Sequence, residues 1–178
     1  MGGGYHGGFG SLSEKARNNL SSSRLKRSKL TPDQIKDVSH AKVKSWAERK
    51  QKELTGKAKK NFNTACVVYD DETGKFYYGQ NGGYRGEGYK KNPILFGDSA
   101  HAGLLPSRSL NKYPVGNCAE VDAINRALND GAEISHLHIT TIHTTKSQFG
   151  NYKESCENCR YAFKSRIKAN YSGWKDED

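Results

Sequence analysis

Two short stretches, Asn117-Cys118-Ala119-Glu120 and Cys156-Glu157-Asn158-Cys159, carry the most informative residues of this 178-residue chain. Together they supply three thiols and one carboxylate. A structural zinc site uses four protein ligands, whereas a catalytic site uses three and leaves the fourth position to water. The only other cysteine, Cys66, lies in an apolar run. The count therefore predicts a hydrolytic Zn²⁺ site with an open position.

The spacing of the ligands supports this interpretation. Cys156 and Cys159 are three residues apart, so they share one face in the first turn of a helix. Cys118 precedes a second helical pattern, and the partial positive charge of each helix N-terminus favours thiolate over thiol. Glu120 is two residues from a ligand, so it can reach a metal-activated water and move its proton. Four cysteines could instead form two disulfides, but this spacing favours metal and a reducing compartment.

The segments around the motifs predict an α/β fold with a mixed sheet. Both cysteine groups then fall at helix N-termini, and Asn117 is the expected cap of the first of these helices. The segment from Asn81 to Pro114 is rich in Gly, Tyr and Lys without periodicity, which predicts a long loop. The expected elements are a helix over 32–54, a β-hairpin over 62–79, a helix from 117 to about 130, a strand over 134–145 and a helix over 156–168.

Composition divides the chain into two parts. Residues 1–30 are predicted to form a flexible Gly/Ser-rich basic arm, and residues 31–178 a single domain. Residues 1–60 hold 15 basic and 5 acidic side chains, whereas residues 61–178 hold 14 of each. The net charge of +10 thus comes from the N-terminal residues. This segment could bind phosphates or could form a solvated linker. Because no long apolar run is present, no membrane partner is expected.

Around these motifs the chain resembles the cytidine deaminase superfamily, zinc enzymes that remove an amino group from a nucleobase. The segment Tyr113–Glu120, with Ala123-Ile124 and Gly131 after it, is similar to the zinc helix of free-nucleoside cytidine deaminases. Phe62–Val68 and Tyr78-Gly79-Gln80-Asn81 resemble the first hairpin of those enzymes. The resemblance covers roughly residues 60–169. It implies the three-layer fold of the superfamily, here with its last strands reduced or absent.

The resemblance also implies roles for individual residues. Cys118, Cys156 and Cys159 would bind zinc, and Glu120 would be the catalytic proton carrier. Four residues are expected to contact the substrate. Phe62 would line the base pocket, Asn81 would bind the sugar, and Ala119 and Ser155 would also contact the substrate.

Several positions depart from the superfamily pattern. The carboxylate expected two residues after Asn81, which holds a nucleoside hydroxyl, is replaced by Gly83. Ser155 replaces the proline that usually precedes the second ligand pair. Val121 replaces an arginine that offsets thiolate charge, with Arg160 as the candidate substitute. The segment from Asn81 to Cys118 is also much longer than in nucleoside enzymes. These departures favour a substrate other than a free nucleoside.

A short Cys-Ala-Glu deaminase body behind a basic arm is similar to the YwqJ-like deaminases of bacterial polymorphic toxins. That resemblance implies delivery as part of a larger secreted toxin, action in the cytoplasm of a target cell and a cognate immunity protein. The expected activity is conversion of cytosine to uracil in nucleic acid, on an unpaired or flipped-out base. Two alternatives remain, a deaminase of free cytidine nucleosides or nucleotides and a non-catalytic zinc-stabilised binding domain.

Overall fold

The computed structural model of the protein describes residues 29–176, so residues 1–28 of the predicted arm lie outside the described residues. The first element is helix α1 (Pro32–Glu53), as predicted. Thr31 caps it: the Thr31 hydroxyl accepts from the Gln34 backbone N–H, and the Gln34 side chain accepts from the Thr31 N–H. This reciprocal pair satisfies two backbone donors that a helix start otherwise leaves free. Within residues 29–176, no helix is both long and apolar enough to span a membrane.

A four-stranded mixed sheet forms the centre of the protein. Strands β1 (Thr64–Asp70) and β2 (Phe76–Gln80) make the predicted hairpin, and β3 (Leu137–His143) pairs antiparallel with the other side of β1. The two-residue strand β4 (Ala169–Asn170) pairs parallel with β3. The strand order is therefore β2-β1-β3-β4.

Helices cover both faces of this sheet. Helix α1 packs on β1 and β3, and helix α4 (Ala119–Asn129) packs on β1, β2 and β3. Strand β1 alternates between the two sides. Cys66 and Val68 belong to the core cluster that includes α4, whereas Ala65 and Val67 belong to the cluster that includes α1. The α/β class and the mixed sheet predicted from the sequence are confirmed.

The remaining helices are short. Helix α2 (Gly56–Asn61) follows α1 directly, and helix α3 (Pro93–Phe96) interrupts the predicted long loop. Helix α5 covers Glu157–Phe163 and is thus five residues shorter at its C-terminus than predicted. The N-cap of α4 is Cys118, not Asn117 as predicted from its polar side chain.

The close approach of α4 to the sheet depends on Gly79 in β2. A Cβ atom at this position would overlap with the Ala123 nitrogen and the Ala119 carbonyl oxygen, both in the backbone of α4. Backbone atoms cannot move aside as the end of a flexible side chain can. Glycine at position 79 therefore sets the distance between the strand and the first turns of α4.

Substitution of Gly79 by alanine is expected to destabilise the fold by about 2–3 kcal/mol, because the added methyl must push α4 away from β2. The melting temperature should fall by about 4–12 °C, measured by thermal denaturation followed by circular dichroism. Gly86→Ala is the matched control, since its Cβ meets only the Gly83 carbonyl oxygen, at 3.3 Å. Equal melting temperatures for the two variants would contradict this account of the packing.

A polar network closes the end of the sheet where β1 finishes and β3 begins. The Asp71 carboxylate contacts His136 Nδ1 at 2.8 Å and His138 Nε2 at 2.9 Å. The other nitrogen of His138 contacts the Tyr171 hydroxyl at 2.9 Å. The hydrogen bond to Asp71 raises the pKa of His136. Burial acts to raise the pKa of Asp71, but hydrogen bonds to His138 and His136 outweigh it and hold that pKa below its ordinary value.

The network should stabilise the protein most in mildly acidic solution. The raised pKa of His136 gives a contribution that is complete below about pH 6.5 and is lost as the pH rises through the folded-state pKa. The lowered pKa of Asp71 gives a contribution that is lost only as the pH falls below about 4. Asp71→Asn is therefore expected to lower the melting temperature more at about pH 5.5 than at about pH 8.5. An equal fall in melting temperature at both pH values would show that Asp71 and His136 make no stabilising charge interaction.

Candidate metal centre

The three cysteines predicted as ligands lie together at two helix N-termini. Cys118 is the N-cap of α4, Cys156 is the N-cap of α5, and Cys159 lies in the first turn of α5. Their sulfur atoms all lie within 4.8 Å of one another. The Cys118 and Cys156 sulfurs are 3.0 Å apart, well beyond the about 2.05 Å of a disulfide bond. All three cysteines are free thiols, so they can bind a metal ion together.

The thiols are electrostatically unequal. Hydrogen bonds from Cys118 and Cys159, together with backbone N–H groups of α5, hold the pKa of Cys156 well below its ordinary value. Hydrogen bonding to Cys156 raises the pKa of Cys118, and hydrogen bonding to Cys118 raises that of Cys159. One thiolate, on Cys156, is thus favoured before metal binds, and binding releases the remaining protons. Three sulfur donors suit a soft or borderline ion such as Zn²⁺.

Glu120 lies beside this cluster and is 3% exposed. Burial raises the pKa of its carboxyl group, and the negative charge of Cys156 raises it further, whereas a hydrogen bond from Ser155 and the charge of Lys153 act to lower it. A buried carboxyl group with a raised pKa can both accept and donate a proton. Glu120 is therefore a candidate for proton transfer at the cluster.

A cavity of about 110 Å³ opens next to the cluster. Cys118, Cys156 and Glu120 reach its wall, so the thiols and the carboxyl group face one space. Cys159 is fully buried and lies behind them. A small molecule or an extruded base that enters this cavity meets the sulfur cluster and the Glu120 carboxyl group at the same time.

The four predicted substrate contacts differ in where they lie. Ala119 and Asn81 line the cavity. Ser155 is fully buried beside Glu120 and accepts a hydrogen bond from Asn170 Nδ2 at 3.0 Å. Phe62 lies in the α1-side core cluster, with its ring 6.2 Å from that of Trp46 in an edge-to-face arrangement. Phe62 is the C-cap of α2 and packs toward α1, so it does not line the cavity; the next residue, Asn63, does.

The Asn81 amide is already engaged by the backbone. Its oxygen accepts from the N–H groups of Asn63 and Thr64 at 3.1 Å each, and its nitrogen donates to the Asn61 carbonyl at 2.7 Å. These bonds join the end of β2 to the junction of α2 and β1. Both lone pairs of the oxygen are used, which leaves one N–H hydrogen to meet a ligand.

Two functional candidates were missed from the sequence. Lys153 lines the cavity, and its ammonium group donates to the Thr64 hydroxyl. Asn158, between the two ligands of α5, is buried; it accepts from the Leu110 N–H at 2.8 Å and donates to the Ser109 hydroxyl at 3.0 Å. Asn158 thus fastens the long loop to the metal cluster. A lysine three residues before the ligand pair was the only signal for Lys153.

The expected charge substitute, Arg160, serves a different purpose. Its guanidinium group donates to the backbone carbonyls of Lys175 and Asp176 at 3.0 and 2.8 Å. It therefore fastens the C-terminal segment to α5, and the sulfur cluster gains its positive potential from the two helix N-termini.

Comparisons of the chain with protein-family models, with curated proteins and with solved structures give no match. The functional interpretation therefore depends on the geometry and chemistry of the cluster itself.

The purified protein is expected to bind about one zinc ion per chain through the three cysteines. Cys159→Ala should lose most of this metal, measured by elemental analysis after dialysis, because two thiolates bind far more weakly than three. Cys66→Ala is the matched control: Cys66 is a buried cysteine of β1 outside the cluster and should leave the metal content unchanged. Full metal retention by Cys159→Ala would exclude this cluster as the binding site.

Proposed function

We propose that this protein is a zinc-dependent hydrolytic deaminase that converts cytosine to uracil in nucleic acid. The observation that carries the proposal is a cluster of three free thiols, two of which line an open cavity together with one buried carboxyl group. A purely structural zinc site has four protein ligands and no need of a neighbouring proton carrier. The described residues supply three ligands in this cluster, together with Glu120.

Cys118, Cys156 and Cys159 would hold the metal, which when bound makes water a competent nucleophile at neutral pH. The Glu120 carboxylate accepts a proton from the attacking water and delivers it to N3 of the base. As the water oxygen bonds to C4, Glu120 is free to take the second proton from the new C4 hydroxyl group. It passes that proton to the exocyclic nitrogen, the bond from C4 to this nitrogen breaks, and ammonia leaves with the C4 carbonyl formed. Burial of Glu120 keeps its pKa raised, which suits both halves of this transfer.

Two features favour a polymer over a free nucleoside. The Asn81 amide, expected to bind the sugar of a nucleoside, is occupied by three backbone groups. The carboxylate that would assist it is replaced by Gly83, where a Cβ atom would overlap with the Asp122 carboxylate. A free nucleoside therefore finds one Asn81 N–H and no carboxylate at position 83 to hold its sugar, whereas a strand has phosphates to bind.

The toxin role remains part of this proposal through the resemblance to YwqJ-like deaminases. A deaminase domain of this kind would be delivered by a larger secreted protein and would act in the cytoplasm of a target cell. A cognate immunity protein would protect the producing cell by covering the cavity.

Glu120→Gln is expected to lower deamination by about 100-fold or more while the zinc content is retained, because the amide cannot carry the proton. The zinc-loaded protein is incubated with single-stranded DNA, single-stranded RNA, duplex DNA, and cytidine with its nucleotides. Mass spectrometry then detects the change from amine to carbonyl. Asp122→Asn, at a buried carboxylate of the same helix that binds the Gln80 N–H, controls for a general loss of structure.

Conversion of a strand but not of monomers would support the proposal. Conversion of monomers alone would favour a nucleotide-pool enzyme. The absence of conversion in every substrate would favour a zinc-stabilised binding domain.

A further inference from the structure

Lysine side chains lie on the cavity wall and on the helix that leads to it. We use the name mouth lysines for Lys153, which lines the cavity, and for the three lysines of α2, which ends two residues before the wall residue Asn63: Lys57, Lys59 and Lys60. Among the described residues, none of the four forms an ion pair, and the three on α2 are exposed. Outside this set the body of the protein is close to neutral, with 19 basic and 18 acidic side chains over residues 31–178.

Lys153 is held in place at the cavity wall. Its ammonium group donates to the Thr64 hydroxyl, and Thr64 is the first residue of β1. An ammonium group has three donors, so two remain for a ligand. Lys153 and Glu120 line the same cavity, so the ammonium group and the carboxyl group face one space.

Helix α2 leads directly to the same wall. Its last residue, Asn61, has a carbonyl that accepts from Asn81 Nδ2, and Asn63, two residues later, lines the cavity. The three lysines of α2 therefore lie immediately before the residues of the wall. A flexible chain of phosphates can follow this path from the helix to Lys153.

An exposed aromatic ring completes the mouth. Tyr113 lines the cavity and is 51% exposed, and the Lys112 ammonium group lies 5.2 Å from the centre of its ring. Exposed aromatic rings beside cations are the usual platforms on which unpaired bases stack, without sequence preference. The opposing acidic group of the mouth is Glu154, which is exposed and can turn to solvent.

We infer that the mouth lysines and Tyr113 form the binding surface for a single-stranded nucleic acid, with Lys153 on a phosphate that flanks the target cytosine and α2 on phosphates further along the strand. This inference rests on the proposed function for the target base. It adds the substrate class of the cavity, a phosphodiester strand, and the residues that recognise it.

The test measures strand binding separately from catalysis. Full-length, zinc-loaded protein carrying Glu120→Gln is titrated into fluorescent oligothymidylate that contains one cytosine, and into the RNA counterpart, with anisotropy as the signal. In this background Lys153→Met should weaken binding about tenfold, because a hydrogen bond to a charged phosphate is lost. The slope of log K against log salt, between roughly 50 and 200 mM, should become shallower by about 0.7 for each phosphate contact removed.

Oligonucleotides with one neutral methylphosphonate, placed either before or after the cytosine, identify the phosphate. If Lys153 contacts that phosphate, Lys153→Met has little further effect on the neutral oligonucleotide. If Lys153→Met weakened binding equally for the charged oligonucleotide and for both neutral ones, the assignment of Lys153 would be overturned.

A charge-matched control tests α2. The variant with Lys57, Lys59 and Lys60 changed to glutamine is compared with one in which Lys42, Lys75 and Lys168 are changed to glutamine. The control lysines lie at the Asp70 end of the sheet, about 20 Å from Thr64 along the seven residues of β1. Only the α2 variant should weaken binding and flatten the salt slope.

The outcomes separate the two proposals. Equal affinities and slopes for the α2 and control variants would overturn the strand surface, even if the wild-type protein deaminates cytosine. If the α2 and Lys153 variants bind the strand more weakly but the wild-type protein converts no substrate, the strand surface is supported and the deaminase proposal is overturned. The strand surface would also be overturned if conversion of cytidine monophosphate depended on Lys153 while the α2 substitutions left strand affinity unchanged.

Discussion

The contact between the backbone of β2 and the backbone of α4 is the constraint on which the metal centre depends. Gly79 allows the strand to touch Ala119 and Ala123 directly, with no side chain between them. Ala119 follows Cys118, and Glu120 follows Ala119, so this one contact fixes a sulfur and a carboxyl group relative to the sheet. The second helix, α5, must then bring Cys156 and Cys159 to the same point. A displacement of either helix by one ångström would separate the groups that have to act together.

Electrostatics makes that arrangement costly without a metal ion. Three thiols and a carboxyl group converge in a buried space, where each negative charge raises the pKa of the others. Hydrogen bonds from Cys118 and Cys159, with backbone N–H groups of α5, lower the pKa of Cys156, whereas the pKa values of Cys118 and Glu120 are raised. A divalent cation removes this conflict because it binds three thiolates and supplies the missing positive charge. Burial and the charge of Cys156 also keep the pKa of Glu120 raised, so the cluster and this carboxyl group influence each other.

The sequence predicted those parts of the structure that depend on local patterns. Helix α1, the β1–β2 hairpin and the positions of the three ligands at helix starts follow from caps, alternation and spacing, and the structure confirms them. Long-range packing could not be predicted in the same way. Phe62, the C-cap of α2, packs against Trp46 and does not line the cavity. The position of Lys153 at the cavity wall depends on its bond to Thr64, which lies far away in the sequence.

The C-terminal segment explains how a sheet with a very short last strand still holds the ligand loop in place. Strand β4 has only two residues, but the chain after it pairs with Ser155, the residue before Cys156. The Ser155 N–H donates to the Gly173 carbonyl, and the Lys175 N–H donates to the Ser155 carbonyl, at 2.9 Å each. Asn170 Nδ2 also donates to the Ser155 hydroxyl. Ser155 is thus fixed through its backbone and its side chain. Because proline has no N–H, it could not make the first of these bonds. Serine at position 155 and the pairing of the C-terminal segment with it are therefore two parts of one structural solution.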